Sequence, residues 1–447
     1  MKSSEIRLSE EQKNVYESAM RGGNIVLLGG AGSGKSTVLT RMVKDFEEMG
    51  KTVGICAPTG VAAHNVEGQT IHSLFALGIG VQNNTWRLYR SVIDKIPNFD
   101  VLIIDEISMC RNDVFEVVVR LLEAKERIPQ MIVVGDFWQN IPFVTDDDMQ
   151  AFVMQWGEAK EVKFAFTTSA WKRLGFEVHF LKESQRQKED VRFATALNGV
   201  AQGDFTAAKW IEDNSSEMPF EKGVYLYARK SKVDERNKAE LRKIPGDTFV
   251  FRAQYIGRKC KLPLPEEIEL KVGARAMCRV NFHEIGVMNG TIGKIAAIDA
   301  KKKMVILEME DGRKVPISEY EFKEPVYDSK TGKNIDSKVV ARQLPLVPAY
   351  ALTIDKAQSL TLGKVNIDPE CFREGQLYTA LSRVRNVKDL YLVREIMRKD
   401  IKVSEVVRTF YKENCGVKYH RQCWESLEDV LVENRERDVY ECFKTRE

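Results

Sequence analysis

The sequence predicts an α/β protein built on parallel β-sheets. Three short apolar runs, at residues 24–28, 101–106 and 131–136, each lead into glycine or polar residues. Such runs are typical of buried parallel strands, whose carboxyl ends meet at a ligand-binding edge. Helical periodicity at residues 38–49, shortly after the first run, supports an alternation of strands and helices.

A different pattern occupies residues 253–343, in the second half of the chain. Short alternating runs are separated there by Asn289-Gly290, by the lysine run 301–303 and by Asp311-Gly312. The two glycine pairs are strong hairpin signals, and the lysine run is a weaker one. We therefore predict a small antiparallel β-barrel inserted in the second half.

Length and composition give further limits. The chain has 447 residues and a net charge of +3, and domains of about 100–200 residues suggest two to four of them. No apolar run approaches the roughly 20 residues that span a bilayer. The N-terminus lacks an apolar signal core. A cytoplasmic protein is expected, with its eight cysteines present as free thiols.

The segment GGAGSGKST, residues 29–37, matches G-x-x-x-x-G-K-[ST] between a strand and a helix. Its glycines allow backbone N–H groups to point at phosphate oxygens. Lys35 supplies a cation for the β- and γ-phosphates, and Ser36 supplies a hydroxyl ligand for Mg²⁺. The helix dipole favours the same anion. The motif predicts an ATP and Mg²⁺ site.

The second and third apolar runs end in candidate catalytic residues. Asp105 is placed to hold Mg²⁺, and the adjacent Glu106 to polarise an attacking water. Gln139, in the loop after the third run, is a candidate sensor of the γ-phosphate. Phe137 and Trp138 in that loop offer stacking faces, although an aromatic pair is more often part of a core.

Two other nucleotide-binding classes fit less well. A GTPase should carry an N-K-x-D base-reading motif, and the sequence contains none. A small-molecule kinase would normally be shorter, without so large a second half.

Seven segments occur in an order that resembles the Pif family of superfamily 1 DNA helicases, in the 5′→3′ subgroup with the RecD and Dda types. They run from the phosphate loop to the segment GQLYTALSRVRN, and with Gln12 they cover most of the chain. The seven segments are GGAGSGKST (29–37), APTGVAAHNV (57–66), GQTIHSLF (68–75), IIDEISM (103–109), VVGDFWQNIPF (133–143), LKESQRQ (181–187) and GQLYTALSRVRN (375–386).

The resemblance implies two RecA-like P-loop NTPase domains with ATP between them. Gln12 would contact adenine, although Ser9-x-x-Gln12 is also a helix capping box. Arg186 and Arg383 match the family's two arginine fingers, whose fixed donors stabilise charge on the transferring phosphoryl group. The expected nucleotide-binding set is Gln12, Gly29, Gly32, Ser33, Gly34, Lys35, Ser36, Thr37 and Asp105.

The same resemblance divides the chain. Residues 1–172 form the first RecA-like domain, with a possible small wedge insertion near 76–98 that contains Trp86, Arg87, Tyr89 and Arg90. A helix packed on the first domain explains that segment equally well. Residues 173–252 and 344–400 form the second RecA-like domain, and residues 253–343 form an inserted Src-homology-type β-barrel. Residues 401–447 form a helical C-terminal extension.

The implied function is an ATP-dependent DNA helicase that moves 5′→3′ on single-stranded DNA and unwinds duplexes. The alternative is an ATP-gated nucleic-acid clamp without strand separation, and an RNA-directed NTPase is a third option. Expected partners are single-stranded DNA and forked or tailed duplexes, bound by a monomer. Candidate DNA contacts are Pro58, Thr59, His72, Phe137, Trp138, Thr353 and Lys356.

The segment TIDKAQS, residues 353–359, departs from the family pattern T-I-H-K-S-Q-G at three places. Asp355 replaces histidine, Ala357 replaces serine and Ser359 replaces glycine. A carboxylate close to DNA phosphate would be repelled. Asp355 therefore either weakens the grip on DNA or turns inward to pair with Lys356 or a nearby arginine.

The C-terminal tail carries Cys415, His420, Cys423 and Cys442. Zinc could bind such a set, but the spacing fits no common finger. Reduced cysteines in a helical tail are the better interpretation. Trp424, Leu427 and Leu431 have helical spacing there.

Overall fold

The first half of the chain forms a six-stranded parallel sheet. The computed structural model describes residues 7–78, 80–82, 90–142, 144, 146–156, 163–257, 262 and 264–415. The strand order is β3-β2-β4-β5-β1-β6, and each neighbouring pair is parallel. The strands are β1 (Ile25–Gly29), β2 (Val53–Ala57), β3 (Gln69–Thr70), β4 (Val101–Ile104), β5 (Gln130–Gly135) and β6 (Glu177–Leu181).

Helices connect these strands and cover the sheet. They are α1 (Glu10–Met20), α2 (Lys35–Glu48), α3 (Gly60–Asn65), α4 (Ile71–Leu74), α5 (Arg90–Ile93), α6 (Asn112–Ala124), α7 (Asp146–Trp156) and α8 (Ser169–Leu174). Strand β1 is buried on both faces. Ile25 and Leu27 pack with Met42 and Phe46 of α2, and Val26 joins the larger core on the opposite face. The prediction of buried parallel strands is confirmed.

The second half begins with α9 (Val191–Gln202), α10 (Phe205–Asn214), β7 (Val224–Tyr227) and α11 (Lys230–Lys243). Three antiparallel sheets follow. Their strands are β8 (Phe249–Arg252), β9 (Gln254–Tyr255), β10 (Glu267–Leu270), β11 (Arg275–Cys278), β12 (Ile292–Asp299), β13 (Met304–Glu308), β14 (Lys314–Ser318), β15 (Tyr320–Tyr327), β16 (Asn334–Gln343) and β17 (Leu346–Pro348).

These antiparallel strands form separate sheets of two, five and three strands, in the orders β10-β8, β14-β13-β12-β11-β17 and β15-β16-β9. The antiparallel pairing of β11 with β12, of β12 with β13 and of β13 with β14 confirms the hairpin signals. The turn at Asn289-Gly290 lies just before β12 and closes a longer connection than a tight hairpin would. The described strands show antiparallel sheets rather than a closed barrel.

A second parallel sheet completes the fold. Its strand order is β18-β7-β19-β20, so β7 from the middle of the chain pairs with strands from its end. The elements after the antiparallel region are β18 (Ala351–Thr353), α12 (Ile354–Ala357), β19 (Val365–Ile367), α13 (Gln376–Leu381), β20 (Leu390–Leu392) and α14 (Glu405–Cys415).

Three of the expected domain boundaries fall between strands that pair with each other. The boundary at 172/173 precedes β6, but β6 pairs with β1 and so completes the first sheet. The boundary at 252/253 separates β8 from β10, its antiparallel partner. The boundary at 343/344 separates β17 from β11. In each case the strand is too short for its sequence to reveal its partner. Its hydrogen bonds decide the sheet to which it belongs.

The β15–β16 hairpin reaches back from the second half to the first sheet. The Gln69 side-chain amide donates a hydrogen bond to the Pro325 carbonyl oxygen at 2.5 Å. The Asn98 amide donates to the Lys330 carbonyl oxygen at 2.7 Å. The rings of Phe99 and Tyr327 meet edge to face at 5.0 Å. The hairpin therefore connects the two halves independently of the parallel sheets.

Several expectations concern residues outside the described part of the chain. Trp86, Arg87 and Tyr89 of the expected wedge lie there, while Arg90 begins α5. The tail residues 416–447 also lie there, with most of the candidate zinc ligands. Within the described ranges, no helix has both the length and the apolar character to cross a bilayer.

Candidate active site

The phosphate loop joins β1 to α2, whose first residue is Lys35. The Lys35 ammonium donates hydrogen bonds to the carbonyl oxygens of Gly29 at 2.7 Å and Gly30 at 3.0 Å. Burial lowers the pKa of Lys35, and the carboxylates of Asp136, Glu106 and Asp105 oppose that shift. One buried cation thus faces three acids at the carboxyl edge of the first sheet.

This edge opens into a cleft of about 1050 Å³ between the two parallel sheets. Both halves of the chain line it, which brings together most of the predicted nucleotide-binding and catalytic residues. Those lining it are Gly32, Ser33, Gly34, Lys35, Ser36, Thr37, Asp105, Glu106, Gln139, Arg186 and Arg383. Gly29 ends β1 at the mouth of the loop.

Asp105 and Glu106 follow β4 directly. Burial, and secondly the neighbouring Glu106 charge, raise the pKa of Asp105 to about 7. Glu106 has a left-handed backbone, with φ +51° and ψ +44°. Non-glycine residues rarely adopt that conformation, and it is concentrated at functional sites. The turn directs the Glu106 side chain to the second half of the chain, where it accepts two hydrogen bonds.

Ser36 and Asp105 offer suitable donors for a magnesium ion. A serine hydroxyl and a carboxylate are hard oxygen ligands of the kind that Mg²⁺ prefers. Both residues line the cleft, and burial together with the neighbouring Glu106 raises the pKa of the Asp105 carboxyl. The residues present therefore fit the expected ion.

Gln12 lies at the start of α1 and beside the phosphate loop. Its side-chain oxygen accepts from the Ser9 backbone N–H at 3.0 Å, and the Ser9 hydroxyl accepts from the Gln12 N–H at 3.4 Å. The capping box is therefore present. The Gln12 side-chain amide also donates to the Ser33 carbonyl oxygen at 3.4 Å. Gln12 thus lies against the phosphate loop while it caps α1.

The two candidate arginine fingers enter the cleft from different elements. Arg186 follows β6, and it donates to the Thr361 hydroxyl at 2.9 Å and to the Ser382 carbonyl oxygen at 2.8 Å. Burial, and secondly the charge of Arg383, lower the pKa of Arg186 to about 9. Gly32, with φ +79°, has no Cβ, and an added one would collide with the Arg186 side chain.

Arg383 is only 1% exposed. It donates to the Ala357 carbonyl oxygen at 3.3 Å and to the Ser382 hydroxyl at 2.7 Å. Burial lowers its pKa to about 10. No carboxylate of the described residues lies within ion-pair distance of it. A buried guanidinium held by neutral acceptors is suited to receive an anion.

Buried Asp136 follows β5 and accepts hydrogen bonds from three different parts of the chain. The donors are the Gln139 amide at 2.9 Å, the Tyr378 hydroxyl at 3.3 Å and the Tyr411 hydroxyl at 3.2 Å. Burial raises the pKa of Asp136. The Tyr378 hydroxyl also accepts from the Ala31 N–H at 3.2 Å. This network joins the phosphate loop, β5, α13 and α14.

Comparison with known proteins agrees with this geometry. The family model described as "PIF1-like helicase" matches residues 7–210. The ATP-dependent DNA helicase Pif1 of Bdellovibrio bacteriovorus is 30% identical over 438 residues, covering 92% of this chain and 93% of that relative. The chain belongs to the PIF1-like helicase family.

Solved structures of the family support the same fold. The crystal structure of Bacteroides sp Pif1 in complex with ADP-AlF4 has a TM-score of 0.78 and 26% identity, covering 92% of this chain and 97% of that one. A structure of two coordinating Pif1 helicases unwinding forked DNA has a TM-score of 0.67 and 26% identity. It covers 92% of this chain and 98% of the other.

Within this PIF1-like fold, Thr353 and Lys356 line a second groove of about 330 Å³. Thr353 caps α12, and its hydroxyl accepts from the Lys356 N–H at 3.3 Å. Arg279 lines the same groove and donates to the Lys356 carbonyl oxygen at 3.3 Å. The groove runs along α11, which also contributes Lys230. Two predicted DNA contacts are therefore in a groove with three further basic residues, Arg279, Lys230 and Lys238.

Pro58, Thr59 and His72 lie on the first half of the chain. Pro58 follows β2, and the Thr59 hydroxyl accepts from the Ala62 N–H at 3.2 Å, so it caps α3. His72 lies in α4, where burial, and secondly Arg111, lower its pKa. These three residues line neither the ATP cleft nor the groove that contains Thr353.

Phe137 and Trp138, the residues predicted to offer stacking faces, are packed in an aromatic cluster in this structure. Phe137 is 2% exposed and packs among Phe164, Phe166 and Phe410. Trp138 is 8% exposed and stacks on Tyr411 at 4.7 Å, with an interplanar angle of 10°. The aromatic rings of α14 cover the faces that a base would need.

Asp355 pairs with an arginine. The Arg373 guanidinium lies 2.5 Å from the Asp355 carboxylate. The inward-turned alternative is therefore the one that the structure supports. Ala357 is buried in the core, where a serine hydroxyl would need a partner.

Several residues at the site were not predicted, and four of them show which signals the sequence contained. Tyr378 lies in the YTALSRV segment, and Gln358 and Ser359 lie in TIDKAQS, so their motifs provided a signal. Tyr411 had none, since it lies in a tail to which the sequence assigned no chemistry. Its contact with Asp136 depends on how α14 packs against β6.

Proposed function

We propose that this chain, an ATP-dependent DNA helicase by family membership, moves 5′→3′ along single-stranded DNA. The 5′→3′ direction comes from the resemblance to the Pif family, and the coupling of ATP hydrolysis to movement rests on one observation: a single cleft between two parallel sheets holds the phosphate loop, the Asp105–Glu106 pair, Arg186 and Arg383. Residues from both sheets must contact the nucleotide there. Binding and hydrolysis of ATP would therefore change how the sheets sit relative to each other.

Each residue has a role that its surroundings permit. The P-loop N–H groups and Lys35 bind the β- and γ-phosphates. Ser36 and Asp105 would hold Mg²⁺, which neutralises phosphate charge when bound. Glu106 accepts a proton from the attacking water, and Gln139 senses the γ-phosphate. Arg186 and Arg383 stabilise charge that develops on the transferring phosphoryl group, and Gln12 contacts adenine.

The DNA path is proposed to follow the groove of Thr353, Lys356 and Arg279. Four basic side chains, including the buried Arg279, line this groove against three acidic ones, and Lys230 is paired there with Asp234. Phosphate contacts of this kind position a strand without reading its sequence. Thr59 and His72 remain proposed contacts on the first half of the chain.

A fork assay tests the proposal. One strand of a forked duplex is labelled, and substrates carry either a 5′ or a 3′ single-stranded tail. Strand release with ATP from the 5′-tailed substrate is expected. Release only from the 3′-tailed substrate would overturn the polarity, and DNA-stimulated hydrolysis without release would favour a clamp. Glu106→Gln is the matched control: it should bind ATP and DNA but turn over slowly.

A further inference from the structure

The segment after α12 contacts the catalytic edge of the first sheet directly. The Ser359 hydroxyl donates a hydrogen bond to Glu106 Oε1 at 2.7 Å. The Gln358 amide donates to Glu106 Oε2 at 3.0 Å, and its own oxygen accepts from the Asn140 amide at 2.8 Å. Each oxygen of the Glu106 carboxylate therefore has a side-chain donor from the second half of the chain.

The backbone of Ser359 adopts a conformation that is unfavourable for a residue with a side chain. Ser359 has φ +65°, in the left-handed region that favours glycine. Glu106, its partner, has φ +51° in the same region. Relative to glycine, serine adds a hydroxymethyl group, and its hydroxyl is bonded to the carboxylate proposed to activate water.

We infer that Ser359 is a positioning residue that orients the Glu106 carboxylate for hydrolysis. The inference rests on the proposed role of Glu106 as the base. An ionised carboxylate has about four acceptor sites, so the two donors leave capacity for a water. They fix the plane of the carboxylate while it lies partly exposed in the cleft. Because Ser359 belongs to the second half, orientation of the base also depends on the two halves being together.

Ser359→Ala tests this directly, since it removes the hydroxyl and retains the Cβ. The rate of DNA-stimulated ATP hydrolysis, kcat, should fall about 3- to 10-fold, the range for loss of one ordinary hydrogen bond, because the Gln358 donor to Glu106 remains. KM for ATP should be unchanged, because the hydroxyl contacts the base and not the nucleotide. Equal or faster turnover would overturn the inference, and so would a higher KM with unchanged kcat.

Ser359→Gly is a second variant that shows whether a loss of activity comes from misfolding. Glycine suits φ +65°, so this variant should keep the Tm of the parent while losing kcat to the same extent as Ser359→Ala. Thr195→Ala is the matched control: it removes an exposed hydroxyl that bonds only within α9, and it should leave kcat unchanged.

A double-variant cycle separates this inference from the proposed function. Ser359→Ala should have no further effect on kcat when Glu106→Gln is already present, because the carboxylate it orients is gone. If Glu106→Gln alone hydrolyses ATP at the parent rate, the proposed role of Glu106 fails. If Glu106→Gln is slow but Ser359→Ala lowers kcat equally in both backgrounds, only the role of Ser359 fails.

Discussion

The two parallel sheets contribute unlike chemistry to the same cleft. The first sheet provides the acids, with Asp105, Glu106 and Asp136 at the ends of its strands, and one buried lysine among them. The second sheet provides donors, among them Arg383, Tyr378 and Ser359. Donors from the second sheet contact two of the three acids. Neither sheet alone holds a complete site.

This difference explains how nucleotide chemistry and movement are linked. An acid that is buried without donors is costly, so the first sheet is better satisfied when the second lies against it. Conversely, Arg383 is buried without an ion-pair partner among the described residues, and an anionic phosphate can provide one. We therefore expect bound ATP to stabilise the contact between the two sheets, and hydrolysis to weaken it.

The largest expected effect is on the first sheet. Lys35→Ala should reduce ATP hydrolysis and unwinding by at least about 10²–10³-fold, because the phosphates lose their fixed cation. The measurement is steady-state ATPase with single-stranded DNA. Lys172→Ala, an exposed lysine on α8, should have parent activity. Substantial activity in Lys35→Ala would contradict the phosphate-loop assignment.

Arginine changes test the other half of the cleft. Arg383→Ala and Arg186→Ala should each lower kcat, by roughly 10³-fold, the lower end of the range for arginine fingers. Nucleotide affinity should fall much less, since the contacts strengthen in the transition state. Single-turnover kinetics with a separate ATP-binding titration would measure both. A normal kcat with a raised KM would limit the residue to ground-state binding.

Tyr411→Phe tests the network that joins both halves to the C-terminal helix. The Tyr411 hydroxyl donates to Asp136 and accepts from the Phe137 N–H at 3.1 Å. Its loss leaves a buried acid with one donor fewer, and should reduce the free energy of unfolding by about 1–3 kcal/mol.

Denaturant unfolding measures that change. Tyr391→Phe is a suitable control, since the Tyr391 hydroxyl makes no hydrogen bond to the described residues. A parent-like stability for Tyr411→Phe would show that the hydroxyl contributes little to holding Asp136.

The smallest effect is expected at Asp355. Because its carboxylate pairs with Arg373, Asp355→His should leave the Kd for oligo-dT, and the slope of log Kd against log salt, close to the parent values. Titrations across a salt series measure both. Tighter binding with a steeper slope would show that residue 355 reaches DNA after all.

Local patterns predicted the first sheet well. The buried strands, the phosphate loop and Asp105–Glu106 depend on residues adjacent in the chain, so a short motif contains most of their geometry. The capping box at Ser9 and Gln12 was also visible for that reason. The left-handed turn at Glu106 was not, since no glycine or asparagine marks it.

Long-range pairing limited the rest. The membership of β6, β8 and β17 in their sheets is decided by strands far away in the sequence, and two of them have four residues or fewer. The burial of Phe137 and Trp138 depends on α14, more than 270 residues further along by the separation of Tyr411 from Phe137. The Asp355–Arg373 pair could not be predicted because it depends on how the chain between the two residues folds.

The hairpin β15–β16 joins the two halves of the chain beside the cleft. It contacts the first half of the chain at Gln69, Asn98 and Phe99. Its strand β16 pairs with β9 in the second half. Tyr327 on the hairpin also lines the ATP cleft. The two halves are thus joined at two separate places, at the cleft and at the hairpin. Full opening of the cleft would require the hairpin to break its contacts with the first sheet. A small rotation of one half relative to the other could preserve the hairpin contacts while it changes the contacts around Glu106.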